Sequence, residues 1–149
     1  MTEVTNNGPG VPVAGTTLEL LDRARASLLA SCLAGNVSER YVEAHLGALR
    51  AAAALLAARS RPSRRSRLRS VWEVLPQVAP ELGEWAVFFT ASGRRRLAVE
   101  RGAVVPSTRE ANDLLRAAET FLGLAHAGLG LPMDSALPAF TVTTGVGSP

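Results

Sequence analysis

Along "TTLELLDRARASLLASCLAGN", apolar or small residues Leu21, Ala24, Leu28 and Cys32 recur at spacings of three and four, with charged residues between them. That period predicts an amphipathic helix. Thr16 and Glu19 fit a capping box at its start, and Gly35-Asn36 supplies its stop. A second helix is expected from Ser38, a good N-cap residue with Val37 before it as a staple, to about Ala58. On a helical wheel, Glu39, Glu43 and Arg50 share one side. Tyr41, Ala48, Leu49, Ala52, Leu55 and Leu56 share the other, and His45 falls near its centre. The segment "SVWEVLPQVAPELGEWAVFFTASGRRR" opens with a second capping box, Ser70 to Glu73. Pro76 is tolerated early in a helix, and Pro80 is expected to begin a new one at its first position. A short helix, a kink and a longer helix to about Arg101 follow, with Gly93 as its weak point.

The last helix begins with a third capping box, Ser107 to Glu110, and presents Leu114, Ala118, Leu122, Ala125 and Leu129 on one face. Gly130 and Pro132 end it. Residues 1–15 and 131–149 are rich in Gly, Pro and Thr, lack a helical period, and are expected to be disordered arms around a bundle over residues 16–130. Four main amphipathic helices with mostly short connections imply an all-α, antiparallel bundle of four to five helices.

Composition agrees. With 149 residues the chain can bury one core, and its 5% aromatic content leaves Ala and Leu, both strong helix formers, to build it. All 16 basic residues are arginine, a pattern read mainly as codon bias in a GC-rich genome, with a functional cause as the weaker alternative. A net charge of +3 is too modest to argue nucleic-acid binding by bulk attraction, so local clusters matter more. One such cluster is the loop "RSRPSRRSRLRS", where Arg59, Arg61, Arg64, Arg65, Arg67 and Arg69 occur with no acid. Arginines of this kind would contact phosphates in a salt-dependent, sequence-independent way. A second cluster is Arg94 to Arg96 with Arg101. No aromatic residue is interleaved with the loop arginines, so they offer no base-stacking platform. A single cysteine, Cys32, suits a reducing compartment and reads as a small buried hydrophobe. The start of the chain lacks a basic-then-apolar leader, and no apolar run reaches about 18 residues, so a cytoplasmic location is expected. The histidines and the cysteine have no metal-ligand spacing, and there is no phosphate loop or nucleophile elbow, so no cofactor is expected.

Arg40 and His45 form the one pairing with catalytic potential. A metal-independent ribonuclease needs a base for the 2′-hydroxyl and a cation for the phosphate, and His and Arg supply these. Both must reach one exposed cleft. On an ideal helix they stand about 140° apart, and His45 lies on the apolar side, where a histidine is ordinarily a packed, hydrogen-bonded residue. A groove between the two bundles of a homodimer could expose such a face. His126 lies near the edge of the last helix's apolar stripe, ten residues after Arg116.

The run "LLDRARASLLASCLAGNVSERYVEAHLGALRAAAALLAAR", followed by "SVWEVLPQVAPELGEWAVFF" and "REANDLLRAAETFLGLA", resembles the HEPN superfamily, the higher eukaryotes and prokaryotes nucleotide-binding domains. More narrowly it looks like the actinobacterial HEPN-like proteins. The resemblance spans about Thr17 to Leu129 and rests on texture and helix order. It implies a four- or five-helix bundle, often dimeric, in a group whose members frequently act on RNA as toxins or in defence. Their nuclease signature is Arg, four to six residues, then His, with a polar residue directly after the Arg. Arg40 and His45 match that spacing, but Tyr41 occupies the polar position, and the signature typically lies near a later helix. The last helix here has Arg109 and Arg116 without a His at the required distance. The second helix instead resembles the superfamily's aromatic-bearing packing helix, with Tyr41 as the aromatic. The resemblance thus favours a non-catalytic module that binds a partner or an anionic ligand, nucleic acid or nucleotide. A ribonuclease using Arg40 and His45, and an interaction module without a nucleic-acid role, are the alternatives.

Overall fold

The computed structural model describes residues 10–59 and 70–131, with side chains from residue 15 onward. The five helices are α1 (Gly10–Cys32), α2 (Val37–Arg59), α3 (Val71–Val78), α4 (Gly83–Glu100) and α5 (Thr108–Gly128), with a 3₁₀ turn at Pro80–Leu82 before α4. No strand occurs among the described residues, and the all-α helical bundle is as the periodicity predicts. The expected arms over residues 1–9 and 132–149, and the arginine loop over residues 60–69, lie outside the described residues.

Two helix starts differ from expectation. α1 begins at Gly10, so Thr16 and Glu19 lie inside it and their capping box does not set its start. Residues 10–15, expected in the disordered arm, are helical. Pro12 stands in the first turn, where a missing N–H removes no helical hydrogen bond, so it does not stop the helix. For α2, Asn36 caps in place of Ser38. Its Oδ1 accepts from the Glu39 N–H at 2.8 Å, and its carbonyl accepts from the Arg40 N–H at 3.1 Å. Helical hydrogen bonding has therefore begun before Ser38, which falls within the first turn.

The other expected termini hold. Ser70 with Glu73 and Ser107 with Glu110 form reciprocal capping boxes. Proline opens the 3₁₀ turn and α4 follows directly. Gly93 does not interrupt α4. The last helix ends in a Schellman turn. Gly130, at φ 72°, donates to the Ala127 carbonyl at 3.1 Å, and Leu131 donates to the His126 carbonyl at 2.9 Å.

The core forms around α2, which packs against α1, α3, α4 and α5. Its buried face is largely alanine: Ala44, Ala48, Ala51, Ala52 and Ala54 are fully enclosed. Side chains this short let α1 and α5 approach α2 closely. The bulk comes from the partners: Leu21 and Leu28 of α1, Phe121 and Leu122 of α5, and Leu75 of α3. Trp72, Phe89 and Phe121 make the aromatic centre, with ring centroids 5.0 Å apart for Trp72–Phe89 and 5.2 Å for Phe89–Phe121. Cys32 is half-buried at the edge of this core instead of inside it. In contrast to the close packing on α2, the backbones of α4 and α5 stay apart and the two helices meet through long side chains, Trp85 and Phe89 on Phe121 and Arg95 on Glu110.

Candidate functional site

His45 points from α2 toward α4. Its Nδ1 lies 2.8 Å from the Ser92 hydroxyl, which in turn donates to the Phe89 carbonyl at 3.2 Å. Which of the two groups donates in the His45–Ser92 bond is set by the imidazole tautomer. The imidazole meets Trp72 and Phe89 edge-on, at centroid distances of 5.9 and 6.2 Å. Gly93 makes room for the ring, since a Cβ there would lie 3.3 Å from both Cε1 and Nε2. Only 2% of His45 is exposed. Burial, aided by the nearby Arg96 charge, lowers its pKa to about 4, so the ring is neutral at pH 7.

Arg40 leaves α2 in another direction. Its Nε donates to the Ser31 carbonyl at 3.2 Å and its Nη1 to Asn112 Oδ1 at 2.7 Å, while the Ser31 hydroxyl donates back to the Arg40 carbonyl at 2.7 Å. The side chain thus ties α2 to α1 and α5. Among the described residues, Arg40 and His45 share no hydrogen-bond partner: Arg40 reaches Ser31 and Asn112, and His45 reaches Ser92. His126 is also enclosed, on the inner face of α5.

Arg59 is the one member of the expected anion-binding set among the described residues. Its Nη2 donates to the Gly128 carbonyl at the end of α5 at 2.7 Å, and its Nη1 lies 3.6 Å from Glu81. Arg61, Arg64, Arg65, Arg67 and Arg69 lie outside the described residues. Of the second cluster, Arg94 is exposed, Arg95 pairs with Glu110 at 3.0 Å, and Arg96 pairs with Glu100 at 3.9 Å.

The gap between α4 and α5 forms a hollow of about 410 Å³ that helical wheels do not reveal. Its apolar wall includes Val87, Phe88, Ala91 and Leu114, and its polar end has Tyr41, Arg95 and Glu110. Phe88 also borders a neighbouring hollow of about 390 Å³ with Glu84, Trp85 and Ala117. Burial raises the Tyr41 phenol pKa, opposed by Arg95 and reinforced by Glu110. The Glu110 carboxyl is held below the usual range, first by its bond from the Ser107 backbone and then by Arg95. Ser92, Gly93 and Asn112 carry no local sequence signal for these roles, because each meets its partner only across the bundle.

The fold is that of an all-α helical domain that encloses both His45 and His126. A family model described as SAV_6107-like HEPN matches residues 32–126, more than half of the chain, and the chain belongs to that family. The comparisons with curated proteins and with solved structures return no match. Among the described residues, no helix is long and apolar enough to cross a membrane.

Proposed function

We propose that this HEPN domain is a non-catalytic binding module, cytoplasmic, whose arginines meet a partner or an anionic ligand, nucleic acid or nucleotide. The observation that best supports this is the enclosure of both histidines of the chain, each 2% exposed. A ribonuclease base must reach the 2′-hydroxyl, and neither imidazole is open to it. Arginines remain available on the surface. Arg94 and Arg101 are exposed, and the Arg109 side chain is 91% accessible. The loop from Arg59 to Arg69 adds the densest run of positive charge in the sequence.

The test is binding of short RNA and DNA oligonucleotides and of a nucleoside triphosphate at low and high salt. Binding that weakens steeply with salt and tolerates sequence changes is the expected result. No binding at low salt would leave a protein-interaction module without a nucleic-acid role. A parallel assay compares RNA cleavage by the wild type, Arg40→Ala and His45→Ala. Cleavage by the wild type that both substitutions abolish would replace the present reading with that of a ribonuclease.

A further inference from the structure

One face of α5 turns toward α4 without being closed by it. Asp113, Ala117, Leu124 and Gly128 follow one another there at helical spacings, and Leu124 is exposed. On the α4 side the two hollows of about 410 and 390 Å³ share Phe88 as a wall, so they continue into one another as a groove. Val87 and Phe88 are exposed along it. Tyr41 lines the larger hollow and is only 5% exposed, yet its phenol makes no hydrogen bond among the described residues. An occupant that suits this groove is apolar and brings an acceptor for that phenol.

The chain leaves the bundle at one end of the groove. Arg59 holds the Gly128 carbonyl through Nη2 and Glu81 through Nη1, so the end of α5 lies one guanidinium away from the turn that begins α4. Leu131, the last described residue, packs against the core. Residues 132–149, "PMDSALPAFTVTTGVGSP", follow, with Asp134 as their one charged side chain. We propose that this segment folds back into the groove of its own chain, with Leu137 in the hollow beside Trp85 and Ala117 and Phe140 in the hollow over Tyr41.

Lengths match this path. From Gly128 back to Glu110, at the far end of the larger hollow, α5 runs about 27 Å. As a polyproline-II chain, the stretch from Leu131 to Phe140 covers about 28 Å. Leu137 is reached after about 19 Å, against about 17 Å along α5 from Gly128 to Ala117. That conformation repeats every third residue, so Leu137 and Phe140 face the same side. Pro138 holds itself and Leu137 close to it. Its carbonyls stay free, which gives the Tyr41 phenol its acceptor. Beyond Asp134 the segment carries no charge whose desolvation would oppose entry. Aromatic-lined grooves take up proline-bearing extended segments by the same means. Attachment to the same chain keeps the segment's local concentration high, so modest contacts suffice. The groove uses neither the arginine loop nor an anionic ligand, so failure here leaves the binding reading of the previous section intact.

The experiment places a nitroxide spin label on Thr144→Cys in a Cys32→Ser background of the full chain and reads the amide signals of the bundle by NMR. Loss of signal at Ala91, Arg95 and Leu114, unchanged on dilution, is the expected result. Combining Leu137→Asp with Phe140→Asp restores those signals, and because both changes lie outside the bundle they leave its fold intact. Tyr41→Phe is expected to raise the ratio of open to docked chains about fivefold, as loss of one hydrogen bond would. Signals at these three positions that the label leaves untouched overturn the proposal, and the groove is then free for a small molecule or a different protein. Signal loss that the double variant does not relieve overturns it equally. So does signal loss that appears between copies when spin-labelled chains are mixed with isotope-labelled ones, since the segment then enters the groove of a second copy.

Discussion

A methyl group added at Gly47 would overlap Leu28 Cδ2 and lie 2.8 Å from Leu28 Cγ. Leu28 is fully buried, so it has nowhere to retreat. Overpacking of this kind costs about 1–3 kcal/mol, against roughly 1 kcal/mol gained by replacing a helical glycine with alanine. Gly47→Ala should therefore destabilise the protein despite the better helix former, which a urea denaturation midpoint would show. His45 gives a second prediction at this scale. Its pKa in the folded chain is lowered to about 4, by burial first and then by Arg96. The unfolded chain binds the proton near an ordinary histidine value of about 6.5. Stability is thus fully present above that value and falls as the pH drops toward 4, by roughly 3 kcal/mol at the limit. In chemical denaturation from about pH 7 down to pH 4.5, His45→Gln should lose less stability than the wild type. The burial of His45 was legible in the sequence, because Tyr41, Ala48 and Ala52 surround it on the wheel. Its partners were not: Ser92 and Gly93 lie 47 and more residues away, and only the packing of α4 on α2 brings them there.

Helix starts carry the next predictions. Ser107→Ala removes the acceptor for the Glu110 N–H and opens the capping box of α5, a loss of about 1 kcal/mol. Asn36→Ala should cost a similar amount, because Asn36 Oδ1 holds the Glu39 N–H. Ser38→Ala, inside the first turn, should change stability by less than about 0.5 kcal/mol. Thermal unfolding of the three variants would separate Asn36 from Ser38 as the cap. In the sequence, Asn36 with Gly35 reads as the stop of the preceding helix and Ser38 as the cap, although Asn is as favoured a cap as Ser. What decides between them is where backbone hydrogen bonding begins, and the bond from the Arg40 N–H to the Asn36 carbonyl places it at Asn36. Ser70 and Ser107 were legible because each is followed three residues later by a glutamate, a pattern with local meaning only at a helix start. Thr16 and Glu19 show the same letters inside α1 and mislead, since Pro12 in the first turn allows the helix to begin earlier.

For the whole molecule, Arg59 gives a test that separates stability from the proposed ligand binding. Its guanidinium holds the ends of α2 and α5 and the 3₁₀ turn together through Gly128 and Glu81. Arg59→Ala is expected to lower stability by about 1 kcal/mol and to change oligonucleotide affinity little. Replacing Arg64, Arg65 and Arg67 together should do the reverse, reducing both affinity and its salt dependence. The bundle as a whole was legible from apolar spacing, because Leu21, Leu28, Leu114, Ala118 and Leu122 each sit on the face their period predicts. The gap between α4 and α5 was not, since a wheel identifies an apolar face without saying which neighbour covers it. That gap shapes how the molecule opens. α1, α2 and α5 form one tightly joined slab, whereas the α4 backbone lies near α2 and α3 only and meets α5 through side chains such as Phe89 on Phe121 and Arg95 on Glu110. Amide hydrogens of α4 should therefore exchange with solvent through a partial, subglobal opening, and those of α2 only through complete unfolding. Such an opening bares His45, so mild acid should quicken exchange in α4 before it does so in the slab.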